Sequence, residues 1–256
     1  MLKDGKYIYC IIETEMDRYF GPTGVGDRHD EVTTIGFKDL SMVVSNHPLT
    51  KLVINKENMI AHERIIEIVM EEFASVLPVR FGTIAASADE IRNLLDRRYR
   101  EFKNCLKDME HKIELGVKGI WKNMPEIYDE IIQSNNEIRE AKLLLQKKNN
   151  SETVQGKIEI GKKVKEALNE KKKEETQAII EFLRKSALDY KLNQTIGDEM
   201  VMNAAFLVDQ GREKEFDNLM DDLSETYKKR VRFIYSGPLP VFNFADIVIY
   251  PEEWEK

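Results

Sequence analysis

The apolar positions of this chain change period several times, and the changes mark its elements. Residues 6–13 (KYIYCIIE) form a β-branched and aromatic run that predicts a buried strand. A glycine-rich stretch, residues 21–27, predicts a loop, and residues 32–37 and 40–46 predict two strands joined by a tight turn at Lys38-Asp39. The period then becomes helical. Met59, Ile60, Ile65, Ile66, Val69 and Phe73 place a helix over about residues 57–74. Residues 76–84 predict a strand whose Pro78 belongs at a sheet edge or at the strand's start. Ser87 and Glu90 have capping-box spacing, opening a helix with Ile91, Leu94, Leu95, Tyr99, Phe102, Leu106 and Met109 on one face. A strand over residues 111–121 follows, with Ile113, Leu115, Val117 and Trp121 on one side.

Helical spacing returns over residues 125–148 and 162–190, so these two segments are expected to pair as a hairpin, with the turn at 170–175 solvated on all sides. A strand over 200–208, a helix through Phe216, Leu219, Met220, Leu223 and Tyr227, a strand over 231–235 and a turn at 237–240 complete the pattern. The expected fold class is α+β in two domains. Residues 1–122 would form a ferredoxin-like antiparallel sheet with two helices on one face, and residues 123–256 a second α+β unit with the long helical hairpin. Residues 112–118 (KIELGVK) and 157–163 (KIEIGKK) hint at an internal repeat.

Composition narrows the function classes. With 42% hydrophobic and 33% charged residues and a net charge of −7, the chain reads as soluble and globular, and gives no general reason to expect nucleic acid as partner. Charge is uneven: residues 139–185 hold 13 basic and 8 acidic side chains, a local +5 that leaves −12 for the rest. Two cysteines, Cys10 and Cys105, both in apolar patterns, suggest a reduced cytoplasmic compartment, and residues 1–6 do not resemble a signal peptide.

Candidate chemistry is sparse. His62-Glu63 continues as Arg64-Ile65-Ile66, so the second histidine of a zinc HExxH helix is missing. The loop at 21–26 lacks the Gly-Lys-Ser/Thr ending of a phosphate cradle and leads into a strand rather than a helix. The sequence offers no catalytic constellation, no metal-ligand set and no cofactor motif. Arg80 is the most informative single charge. On a covered sheet face it needs an acidic partner, which is the expectation; on an open face it becomes a binding residue.

Taken in order, YIYCII, LSMVVS, His62-Glu63, LPVRFGT, ELGVK, NAAFLV and the closing GPLPVFNF resemble the GvpF/GvpL family of gas vesicle accessory proteins over nearly the whole chain. Val241-Phe242-Asn243-Phe244 replaces the Pro-Tyr-Ser-Phe type of ending usual there. The resemblance implies a non-enzymatic assembly factor without cofactor, cytoplasmic and associated with gas vesicles. Its implied partners are the hydrophobic main shell protein, whose nucleation or growth into the vesicle it would support, and other accessory proteins. Segments with Pro78 and Pro240 are candidate contact edges, because a missing amide donor marks a sheet border. Pro78, Arg80, Phe81, Pro238, Pro240 and Phe242 are the candidate protein-binding residues, while the expectation for Val79, Phe81, Phe242 and Phe244 is a place in the core rather than at an interface. A rival reading is a small-molecule sensor built on paired ferredoxin-like domains; an enzyme using His62 and Glu63 is a third.

Overall fold

The computed structural model describes residues 4–50, 52–147, 153–245, 247 and 249. The fold is α+β with two antiparallel sheets. Contacts divide the chain into two compact units that interleave along the sequence. One is built from the chain up to Leu115, from residues 207–211 and from Gly237 onward; the other comprises Gly116–Phe206 and Arg212–Ser236. A single boundary at 122/123, expected from the pattern of elements, is replaced by this interleaved division.

In the first unit, β1 (Asp4–Glu13) is central, flanked by β3 (Leu40–Pro48), with β2 (Val32–Phe37) outside it. On the other side β1 pairs with two short strands, β4 (Leu77–Pro78) and β5 (Ile84–Ala85). The β1–β3 register passes from Ile8↔Val44 to Cys10↔Val43, so Tyr9 is the extra residue of a β-bulge. The bulge puts Tyr9 and Cys10 on the same face. Tyr7, Tyr9, Cys10 and Ile12 pack in one cluster with Ile65, Ile66 and Val69 of α1 (Lys56–Glu72). Ile8 and Ile11 pack in the other, with Ile91, Leu94 and Leu95 of α2 (Ala88–Arg97) and Phe102 and Leu106 of α3 (Tyr99–Asp108).

The helices therefore cover opposite faces of the sheet, not one. The physical reason is β1 itself: Tyr7 to Ile12 are all fully buried, and an apolar run without alternation needs cover on both sides. Three strands precede the first helix, whereas a ferredoxin-like unit follows its first strand with a helix, so that detail of the expectation is not met. The capping box forms at Ser87, whose Oγ accepts from the Glu90 amide at 3.2 Å, while Glu90 accepts from the Ala86 amide at 2.7 Å. The helix expected beyond it is two helices, separated at Arg98, with the apolar stripe continuing across the break.

The second sheet has the order β7 (Asp189–Leu192), β8 (Met200–Asp209), β6 (Lys112–Trp121), β9 (Val231–Leu239). Helices α4 (Met124–Ser134) and α5 (Asn136–Lys147) divide at Asn135, whose side chain accepts from the Ile138 amide and so caps α5. They run antiparallel to α6 (Thr153–Leu183), as the pairs Glu130–Lys171 and Glu137–Lys163 show. The hairpin expected from the sequence is present, but α6 ends at Leu183 and Tyr190 lies in β7. After β8 comes α7 (Glu213–Thr226), which buries Phe216, Met220 and Leu223. Residues 112–118 are strand and 157–163 are helix, so the similarity between them is not a structural repeat.

The turn at 170–175 is not solvated on all sides. Arg230 reaches Glu130 at 2.7 Å and Glu175 at 2.6 Å; Lys171 also pairs with Glu130, and the Trp121 indole N–H donates to Glu175. Strand β9 continues through the Gly237–Pro238 cis bond where a turn was expected. Gly237 has φ +139 and lies so close to Leu115 and the Glu114 carbonyl that a Cβ there would collide with both.

Candidate functional site

The LPVRFGT segment was expected to form one continuous strand and does not. Leu77 and Pro78 pair with Ile11 and Cys10, and Ile84 and Ala85 pair with Tyr7 and Lys6. Between them the Val79 amide donates to the Tyr9 carbonyl and the Ile8 amide to the Thr83 carbonyl, so residues 80–82 loop out opposite the β1 bulge. Gly82 supplies φ +87 for the reversal, and the Thr83 hydroxyl donates to the Arg80 carbonyl at 2.7 Å. Arg80 leaves the sheet as a result. Its side chain is exposed and forms no ion pair with the described residues, so the ion pair expected for a covered strand residue is replaced by the open alternative.

Buried side chains hold this loop. His62 Nε2 lies 3.1 Å from the Val79 carbonyl oxygen, which only accepts, so Nε2 carries the proton and donates. Nδ1 is then an acceptor, and the Tyr7 hydroxyl donates to it at 2.9 Å while accepting from the Gly82 amide at 3.1 Å. The Tyr9 ring stacks on the imidazole, and its hydroxyl engages Ser45 and accepts from the Val25 amide. Burial pushes the His62 imidazole down to about 4, opposed only by the bond to Val79. His62 is therefore neutral and structural, pinning one end of the Arg80 loop directly at Val79 and the other, at Gly82, through Tyr7.

The loop forms one wall of a cleft of about 370 Å³ in the first unit. Pro78, Arg80 and Phe81 line that wall; Met59, His62 and Glu63 come from α1; Phe242, Ala245 and Ile247 come from the C-terminal segment. The last group is anchored by Glu114, a nearly fully buried carboxylate of β6 that accepts from the Asn243 amide at 2.8 Å and its side-chain Nδ2 at 2.6 Å. Phe242 lies 6.2 Å from the His62 ring and keeps 39% of its surface exposed; Met59 keeps 52%. Burial, and next the Glu67 carboxylate, push the Glu63 carboxyl up. With the imidazole committed to its two hydrogen bonds, the lining offers apolar surface, one guanidinium and one carboxylate.

Four of the six candidate residues, Pro78, Arg80, Phe81 and Phe242, thus meet in one cleft although up to 164 positions separate them in sequence. Pro238 does not line it: it stands exposed in β9, the edge strand of the second sheet, a place where proline is tolerated. Pro240 follows β9 and does not line the cleft either. Sequence reasoning missed Met59, Ala245 and Ile247 as lining and Glu114 as the anchor. Glu114 was the readable one, a carboxylate set within an apolar strand.

The family described as "Gas vesicle synthesis protein GvpL/GvpF" matches residues 5–246. Gas vesicle protein F1 of Halobacterium salinarum is 27% identical over 254 residues, covering 98% of each chain. Gas vesicle protein F of Microcystis aeruginosa is 24% identical, covering 95% of this chain and 99% of its own. The crystal structure of the gas vesicle protein GvpF from Anabaena sp. PCC7120 superposes with a TM-score of 0.79 at 21% identity, over 96% of this chain and 100% of that one. The GvpF crystal structure from Microcystis aeruginosa gives 0.77 at 23% identity, over 95% and 99%.

Proposed function

Because this chain belongs to the GvpL/GvpF family of gas vesicle synthesis proteins, with a gas vesicle-related accessory role, we propose that it is a non-enzymatic assembly factor for the main shell protein. It binds that hydrophobic subunit, keeps it dispersed in the cytoplasm, and supports nucleation or growth of the vesicle, alongside other accessory proteins. The single observation that supports this reading is the cleft at Phe81 and Phe242. An open apolar concavity rimmed by charge suits an apolar protein segment, and a shell subunit with an apolar face aggregates unless such a surface covers it. No helix among the described residues is long and apolar enough to cross a membrane.

Co-expression of the tagged chain with the main shell protein tests this. The shell protein is expected to co-purify in soluble form, and Phe242→Asp, which puts a charge into the apolar wall, is expected to reduce its recovery at least tenfold. Phe242 is partly exposed, so an unchanged melting temperature should confirm that the variant is folded. Insoluble, unbound shell protein with the wild-type chain would defeat the reading.

A further inference from the structure

Among the described residues, the cleft carries one free guanidinium, set in apolar side chains. At one wall Arg80 stands exposed beside Phe81, without an ion pair among the described residues. Glu63, supplied by α1, is the other charged group of the lining, and burial, followed by the Glu67 carboxylate, pushes its carboxyl up, so further negative charge beside it is opposed. An anion entering the cleft is therefore welcome at Arg80 and disfavoured near Glu63. Apart from His62, whose two ring nitrogens are already engaged by Tyr7 and Val79, the rest of the lining is Met59, Pro78, Phe81, Phe242, Ala245 and Ile247, which a free phosphate or small acid has no means of using.

The Arg80 loop is also fixed before anything binds. Tyr7 holds the Gly82 amide, His62 holds the Val79 carbonyl and Thr83 holds the Arg80 carbonyl, so the backbone that presents the guanidinium loses little freedom on binding. Among the described residues, nothing pairs with the Arg80 charge.

Resting on the assembly-factor reading above, we infer that the occupant is an apolar segment of the shell protein carrying one carboxylate, which pairs with Arg80 while its apolar neighbours lie on Phe81 and Phe242. The guanidinium suits a carboxylate because it presents two parallel N–H donors, a geometry lysine lacks. It sets the register of the segment; the phenylalanines supply most of the contact area.

The test is a charge cycle in the co-expression pull-down. Arg80→Ala is expected to lower recovery of soluble shell protein about tenfold, the scale of one charge-assisted hydrogen-bonded pair, and Arg80→Lys to lower it less. Each Asp and Glu of the shell protein is replaced by its amide. One of these replacements should reproduce the Arg80→Ala loss and add nothing when combined with it. If Phe242→Ala lowers recovery while Arg80→Ala leaves it unchanged, the carboxylate pairing is wrong and the assembly-factor reading stands. The pairing is equally overturned if every acidic replacement is additive with Arg80→Ala. If the wild-type chain recovers no shell protein, both readings fall together.

Discussion

Lowering the pH from 6.5 to 4 is expected to remove about 3 kcal/mol of stability through His62 alone, since its imidazole titrates near 4 in the folded chain against 6.5 when exposed. The sign follows from which state takes up protons. Between these values the unfolded chain binds a proton at this histidine and the native chain does not, so stability rises with pH across the window and is complete above 6.5. Burial is the principal cause, with the imidazole 3% exposed beneath Tyr7, Tyr9 and Phe81. Urea unfolding at several pH values should show the limb in the wild-type chain. In His62→Gln, which retains a donor for the Val79 carbonyl, the limb should be shallower by that amount. An identical slope in the two proteins would rule His62 out as its source.

The second large effect belongs to Arg230. Replacing it with Met is expected to destabilise the protein by about 2 kcal/mol, less than for a fully buried pair because the partner side chains keep 15–35% of their surface in water. Arg230 binds Glu130 through two parallel bonds of 2.7 and 2.8 Å, and also holds Glu175, tying α4 and α6 to the start of β9. Hydrogen bonding from Arg230 first, then Lys171, draws the Glu130 carboxyl down to about 2 from the ordinary 4.5. Its contribution is thus fully present above about 4.5 and lost as pH falls through about 2. Denaturant midpoints of Arg230→Met and Lys171→Met would check the ranking, with the arginine variant the worse. A loss below about 0.5 kcal/mol for Arg230→Met would show the network to be an ordinary surface one.

Period and propensity made most elements legible. The apolar run at β1, the stripe of α1 and the Ser87 cap all read correctly because each is decided within a few residues of chain. What could not be read was decided by partners distant in sequence. The loop at Arg80 exists because β1 bulges at Tyr9, and the buried hydroxyls and imidazole that hold it come from Tyr7 and His62, 75 and 17 positions from the groups they bind. The unbroken apolar run of β1 already called for cover on both faces; what it could not show is which helix covers which face, because that is set by the bulge at Tyr9 and by contacts with α1, α2 and α3 distant in sequence. Glu175 read as solvated because its neighbours are charged, yet Arg230, 55 positions away, claims it. The cleft was legible only as separate fragments: nothing near Phe242 in sequence indicates that Glu114 will hold its segment.

The most direct test of the central claim is to place a photo-crosslinking amino acid at position 242 and irradiate cells that are assembling vesicles. The account predicts a covalent adduct with the main shell protein, strong at 242 and absent when the same group is placed at exposed Asp221 of α7. Adducts formed only with other accessory proteins, or equal labelling from both positions, would contradict the cleft as the shell-binding surface.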